Sequence, residues 1–296
     1  MYQIFTSFNE KYHVLATACI ASLFEHASDE VEIKVLDTGI RKSTRKKFER
    51  WAFKKKKSLT FIPISVDSYK ATFANGIELP IDIEYYTRLL APYFSTQHTE
   101  KIMYIDSDIV CMRDFEEIFN LHLDGKVIGA VQDQFLKTMS NGIPNYADLG
   151  LIGNKTYFNS GVMLIDVEKW KLMDVSRNVL LTSKANQKSI IGWDQYSLNI
   201  VLLDHWKELP KTWNEMIEAE RNSTFFRHFA GPKPLIPSFS LSDADLFFSY
   251  HKQSPFFSWW YTQRSTRFFV AKFHWKLKYY SNKIFNTNYN TVTLDF

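Results

Sequence analysis

Two hydrophobic periodicities alternate along this chain from its first residues. Residues 2–7, 31–37 and 59–64 are short apolar runs of strand type. Between them, residues 12–26 place Val14, Leu15, Ala18, Cys19, Ala21, Ser22 and Leu23 at helical spacing, and a basic segment that Ser43 can cap runs through Phe48, Trp51 and Phe53. Strand-like runs continue at 101–105, 126–132 and 161–166, with helical patterns at 84–94, from Val167 and at 192–203. Alternation of this kind predicts an α/β protein whose sheet is mostly parallel and covered by helices. The composition agrees. Of 296 residues 45% are apolar and 16% aromatic, with 10 Gly and 9 Pro, which excludes a disordered or low-complexity chain. Two cysteines, Cys19 and Cys111, cannot make a disulfide scaffold and read as small core residues.

The N-terminus has no basic stretch leading into an apolar one, and no apolar run approaches the length of a spanning helix. A cytoplasmic protein is therefore expected. The net charge of +4 is too mild to imply nucleic acid, and no nucleic-acid partner is expected. The lysine run 54–57 reads as a solvated helix end. After Asp245 the composition shifts: from Leu246 to Leu294 there are seven basic residues, no acidic one, and aromatics throughout. A boundary near 245 separates a domain, 1–245, from a basic aromatic C-terminal segment, 246–296. Phe268, Ala271, Trp275 and Tyr279 recur at helical spacing in that segment. This mixture suits peripheral contact with an anionic membrane, and packing on the domain is the competing reading.

The sharpest chemical feature is IMYIDSDIV at 102–110, an apolar strand that delivers Asp106 and Asp108 two residues apart. In extended chain such residues project to one side, and the carboxyl end of a parallel strand opens on the ligand crevice. Two adjacent carboxylates suit a hard divalent ion such as Mn²⁺ or Mg²⁺, although a merely solvated pair has the same spacing. FFRHFAGPKPL at 225–235 offers His228 as a further ligand or as a structural histidine, Gly231 for close backbone approach, and Lys233 as a point charge. Asn159 stands at the mouth of a buried strand. Asp194 and Gln195 open a helix, where ordinary capping is the plain alternative.

In order, VLDTGI, YYTRLLAPYF, KIMYIDSDIVCMRD, VIGAVQD, YFNSGVMLID, WDQYSLN, LPKTWN and RHFAGPKP give residues 1–235 a resemblance to the family-8 glycosyltransferases. It is strongest to the small bacterial lipopolysaccharide-type members. The resemblance implies a GT-A fold, a Rossmann-like sheet flanked by helices, and retaining transfer of galactose or glucose from a UDP-sugar to an oligosaccharide or glycolipid acceptor. It implies Mn²⁺, with Mg²⁺ as a substitute, on Asp106, Asp108 and His228. It implies donor contacts at Ser7, Asn9, Tyr12, Arg88, Asp106, Ser107, Asp133, Gly231 and Lys233, and a reactive face lined by Asn159, Asp194 and Gln195. At the first loop, Ser7-Phe8-Asn9-Glu10-Lys11-Tyr12, the chain departs from the family, being one residue longer before the tyrosine. A lipid-linked acceptor would place the enzyme at the inner membrane face. Action on a protein-linked glycan, a non-catalytic nucleotide-sugar-binding protein and a metal-dependent phosphohydrolase are the alternatives.

Overall fold

A computed structural model describes residues 1–28, 30–73, 83–220, 222–231, 233–235 and 243–258. Nine strands are described: β1 (Tyr2–Phe8), β2 (Val31–Asp37), β3 (Ser58–Pro63), β4 (Lys101–Ile105), β5 (Ile109–Cys111), β6 (Ile128–Gln132), β7 (Phe158–Asp166), β8 (Trp206–Glu208) and β9 (Phe226–His228). The helices are α1 (His13–His26), α2 (Lys42–Lys55), α3 (Val66–Phe73), α4 (Met139–Gly142), α5 (Val167–Leu172), α6 (Val175–Ala185), α7 (Asp194–Val201) and α8 (Ala244–His251). Seven strands form one sheet in the order β3-β2-β1-β4-β7-β6-β8, and β5 and β9 form a two-stranded antiparallel sheet beside it. Every pairing in the large sheet is parallel except those of β7, which runs antiparallel to both β4 and β6.

Burial explains the strand sequences. Central β4 and β7 are covered on both faces, so they read as continuous apolar runs rather than as alternating ones. One core layer packs α1, α2 and α8 against one face of the sheet, and the other packs residues 83–93, α5 and α6 against the opposite face. The helical pattern expected at 84–94 takes the form of 3-10 turns over Ile83–Tyr93, with Pro92 removing one backbone donor from the run. The predicted cap of α2 also shifts: Arg41 is the N-cap, and it makes no side-chain cap bond.

The compositional boundary near 245 falls inside α8. That helix packs on α1, where His251 Nδ1 lies 2.6 Å from Thr17 Oγ1 and His26 Nε2 lies 2.8 Å from Tyr250 Oη. Phe256 reaches further, its ring centroid 4.7 Å from that of Phe48 on α2. Residues 259–296, the greater part of the basic aromatic segment, lie outside the described residues. Among the described residues no helix is long and apolar enough to cross a membrane.

Burial pushes the His251 imidazole down to about 4. The unfolded chain therefore takes up this proton first, near the ordinary histidine value. Stability is full above that value and falls as the pH drops from about 6.5 toward 4. Urea denaturation in steps from neutral pH to pH about 5 should show the decline, and His251→Gln should flatten it.

Candidate functional site

The site gathers where β4, β7 and α7 meet. The β4 strand ends at Ile105 and the chain turns through Asp106, Ser107 and Asp108 before β5 begins. The backbone N–H of Asp106 donates to the Gly161 carbonyl at 2.8 Å, which fixes this turn against β7. From the other side β9 pairs with β5 in a register that sets His228 opposite Ile109. His228 Nε2 then lies 3.2 Å from Asp108 Oδ1 and 3.9 Å from Asp106 Oδ2. One ligand atom from each of Asp106, Asp108 and His228 falls within 4.8 Å of the others. The ring is held from behind, with Nδ1 2.9 Å from Asn214 Oδ1. If that nitrogen carries the proton, Nε2 faces the carboxylates with its lone pair, the arrangement a metal-binding imidazole requires.

Gly161 makes this approach possible. A Cβ built there would lie 2.3 Å from His228 Cε1 and 2.8 Å from its Nδ1. No side chain fits between the strand and the ring.

Behind the triad a buried polar chain runs outward. Asn214 Nδ2 donates to Asn159 Oδ1, and Asn159 Nδ2 donates to Asp133 Oδ2, both at 2.9 Å. Gln195 Nε2 donates to the same Asp133 oxygen at 3.0 Å, while its Oε1 accepts from the Ser160 N–H at 3.0 Å. Asp133 Oδ1 takes the N–H groups of Phe135 and Leu136. Asp133 is thus committed to protein partners and lines neither cleft described below. It holds Asn159 and Gln195 in place.

Arg88 ties the parts together. Its Nη1 donates to the Ser160 carbonyl at 2.6 Å and to Ser160 Oγ at 2.9 Å, Nη2 pairs with Asp106 at 3.1 Å, and Nε pairs with Asp194 at 2.6 Å. The guanidinium also lies 4.8 Å from the centroid of the Tyr104 ring. Burial works against its charge, but Asp106 and Asp194 outweigh this and hold it protonated well above the usual arginine range. Burial pushes the Asp194 carboxyl up to about 7, with Arg88 opposing and Asp106 adding to the rise. The Asp108 carboxyl is also buried, yet Lys233 and His228 prevail and hold it far below the usual carboxylate range. Lys233 Nζ donates to Asp108 and, at 2.7 Å, to the Phe229 carbonyl. Asp194 and Gln195 do more than cap their helix, since their side chains turn to Arg88, Asp133 and Ser160.

Two clefts open on the triad. One of about 390 Å³ is lined by Ser7, Asn9, Tyr12, Arg88, Asp106, Ser107, Asp108 and Lys233 among others, which brings the first loop to the aspartates. A second of about 360 Å³ is lined by Asn159, Asp194, Gln195 and His228, with Tyr85 and Trp193. Glu10, in the first loop, is turned away by Arg41 and Thr44, and Asn9 Oδ1 accepts the N–H groups of Lys11 and Tyr12. Gly231 is exposed, and a Cβ there would meet nothing within 4 Å.

Four contributors escaped the sequence reading: Asn214, Ser160, Tyr85 and Trp193. Asn214 ends the LPKTWN run and Ser160 sits inside YFNSGVMLID, so adjacency to a motif was their only signal. Trp193 stacks on Tyr85 with centroids 4.0 Å apart and planes 5° apart. It does so with φ +54°, a left-handed backbone that is costly for a bulky residue, and it remains 43% exposed.

The layout of strands and crevice is that of a GT-A glycosyltransferase fold. A galactosyltransferase, LgtC, solved with donor and acceptor sugar analogues, superposes with a TM-score of 0.71 at 19% identity, over 88% of this chain and 99% of that one. GlyE of Streptococcus pneumoniae superposes with 0.64 at 16% identity, over 92% of this chain and 65% of that one. The model for glycosyl transferase family 8 matches residues 3–233, and the chain belongs to that family. General stress protein A of Bacillus subtilis is 27% identical over 192 residues, 62% of this chain and 63% of that protein. A lipopolysaccharide 1,2-glucosyltransferase of Escherichia coli is 27% identical over 229 residues, 75% of this chain and 66% of that protein. Coverage of curated relatives is partial, falling to 15% of the length of the probable glycosyl transferase Gly of Streptococcus gordonii.

Gly161→Ala should drive His228 away from the carboxylates and cost about 1–3 kcal/mol of stability by overpacking. Equilibrium urea denaturation measures the cost, and an unchanged midpoint would show that the ring moves aside freely.

Proposed function

We propose that this protein is a retaining hexosyltransferase that moves galactose or glucose from a UDP-sugar to a hydroxyl of a glycan acceptor of lipooligosaccharide type. The observation that carries the reading is the convergence of Asp106, Asp108 and His228, with Lys233 beside them, at the floor of a cleft the first loop also lines. Two carboxylates and an oriented imidazole fit a borderline-hard divalent ion, Mn²⁺ or in its place Mg²⁺. Such an ion, when bound, neutralises charge on the diphosphate leaving group.

In this reading Lys233 exchanges its contact with Asp108 for the diphosphate and stabilises the charge that develops there. Ser7, Asn9, Tyr12 and Ser107 face the nucleotide, and Gly231 leaves its backbone open to the diphosphate. Arg88 holds the donor sugar while neutralising Asp194. Asp194 and the Gln195 amide oxygen face the anomeric carbon as it becomes cationic, and Asn159 completes that face. The anomeric C–O bond to phosphate breaks, the new bond to the acceptor oxygen forms on the same face, and the acceptor proton passes to the departing phosphate oxygen. Asp133 acts through Asn159 and Gln195. The stacked Tyr85–Trp193 pair at the mouth of the second cleft offers an apolar platform on the acceptor side. Residues 246–256 pack on the domain, and in this reading the remainder of the basic aromatic segment, from 259, gives peripheral contact with the inner membrane face, where a lipid-linked acceptor resides.

Measuring UDP release from a panel of UDP-sugars, with and without oligosaccharide acceptor, tests the reading against a non-catalytic nucleotide-sugar-binding protein. Chelation should abolish transfer and Mn²⁺ should restore it. Asp108→Asn should lower kcat by at least about a hundredfold with the fold intact, since it removes charge at the site. Transfer close to the parent's would overturn the metal assignment. Gln195→Ala should lower kcat mainly, whereas Asp133→Ala should lower kcat and raise the donor KM, because it releases two partners at once.

A further inference from the structure

A strongly cationic surface lies on the exposed face of α2. From Arg41 to Lys57 ten of seventeen residues are Lys or Arg and one, Glu49, is acidic. Phe48, Trp51 and Ala52 are buried and dock the helix on the domain. The opposite face is exposed, and Lys42, Lys46, Arg50 and Lys54 recur along it every four residues, one ridge of the helix. Arg41 and Arg45 are neutralised by Glu10 and Asp37. Lys42, Lys46, Arg50, Lys54, Lys55 and Lys56 form no ion pair among the described residues.

A solvated helix end does not account for this pattern. Cations at a helix C-terminus offset the backbone dipole, which rationalises Lys54 and Lys55. The first turn of α2 is the wrong end for cations, yet it carries Lys42 and Arg45 and no acidic residue. Phe53 is 85% exposed between Arg50 and Lys54. The helix ends on Lys56 in the left-handed conformation (φ +55°), where glycine would cost less. Lys42, Phe53 and Lys56 each oppose local stability, and all three are exposed to solvent.

We infer that the exposed face of α2 is a docking surface for an anionic lipid bilayer. A helix lying in the interfacial plane, with a cationic ridge toward the headgroups and one aromatic ring inserted among them, needs these parts. Position supports it. The chain leaves the described domain beside this helix, with Lys47 Nζ 5.4 Å from the centroid of the Phe256 ring. The last described residues thus lie against the same helix. A nucleic acid would use the cationic ridge but has no need of an isolated phenyl ring held out by a helix that buries its other aromatics.

The test uses the full chain in vesicle cosedimentation, comparing phosphatidylcholine alone with phosphatidylcholine containing phosphatidylglycerol, at low and high salt. The parent should bind only the anionic vesicles, and less at high salt. At about 1 kcal/mol for each cation near the surface, a Lys46→Gln, Arg50→Gln, Lys54→Gln triple variant should bind at least about tenfold more weakly. Phe53→Ser should weaken binding several-fold without changing its salt dependence. Phe53→Cys carrying an environment-sensitive dye should shift to the blue on anionic vesicles, Cys19 and Cys111 being buried. A triple variant that binds like the parent, with Arg264→Gln, Arg267→Gln and Lys272→Gln together removing the binding, would assign it to the segment beyond 258 alone and overturn the proposal. So would a parent that ignores anionic vesicles, or a triple variant that loses duplex RNA while keeping the vesicles.

Discussion

A guanidinium enclosed by protein must be surrounded by negative charge and carbonyl oxygen, and much of this site is the consequence of enclosing Arg88. Its three nitrogens are met by Asp106 at the end of β4, Ser160 on β7 and Asp194 at the start of α7. Those contacts draw three elements that are far apart in sequence to one point. The dependence is mutual, since without Arg88 the buried Asp194 carboxylate would lose its ion-pair partner. The residues proposed to orient the donor and the residues that hold the domain's polar interior together are here the same residues.

The reversed strand gives that arrangement its depth. Because β7 runs antiparallel between β4 and β6, its N-terminal end lies alongside the C-terminal ends of its neighbours. Asn159 and Ser160 therefore reach the crevice together with Asp106, and Gly161 lies directly behind them. A parallel β7 would have presented Ile165 and Asp166 there instead. The missing side chain of Gly161 then lets His228 close on the aspartates, and the register of β9 against β5 decides which residue does so.

The charged helix is mechanically joined to the crevice. Glu10 accepts from Arg41 and Thr44, and Asp37 from Arg45, so the first turn of α2 is bound to the loop that carries Asn9 and Tyr12. A surface that attaches through α2 would hold this loop, and with it the donor side of the cleft, at a fixed distance from the membrane.

Sequence alone determined the class of fold, because the period of apolar residues is a local property that burial imposes on every strand and helix. It also determined the carboxylate pair, since a strand ending in Asp-Ser-Asp carries its own geometry, and it singled out His228, Lys233, Asn159, Asp194 and Gln195 through short motifs. Tertiary structure decided what those motifs do together. That Asp133 faces inward, that Asn214 sets the His228 ring, and that Tyr85 stacks on Trp193 are facts about residues tens of positions apart, and no periodicity encodes them. The same holds for α2, where Phe48, Trp51 and Phe53 are aromatic alike and nothing in their sequence sets Phe53 apart. Only the packing of α2 against the domain shows that this ring points to solvent, because the width of the buried stripe is set by the partner surface and not by the helix.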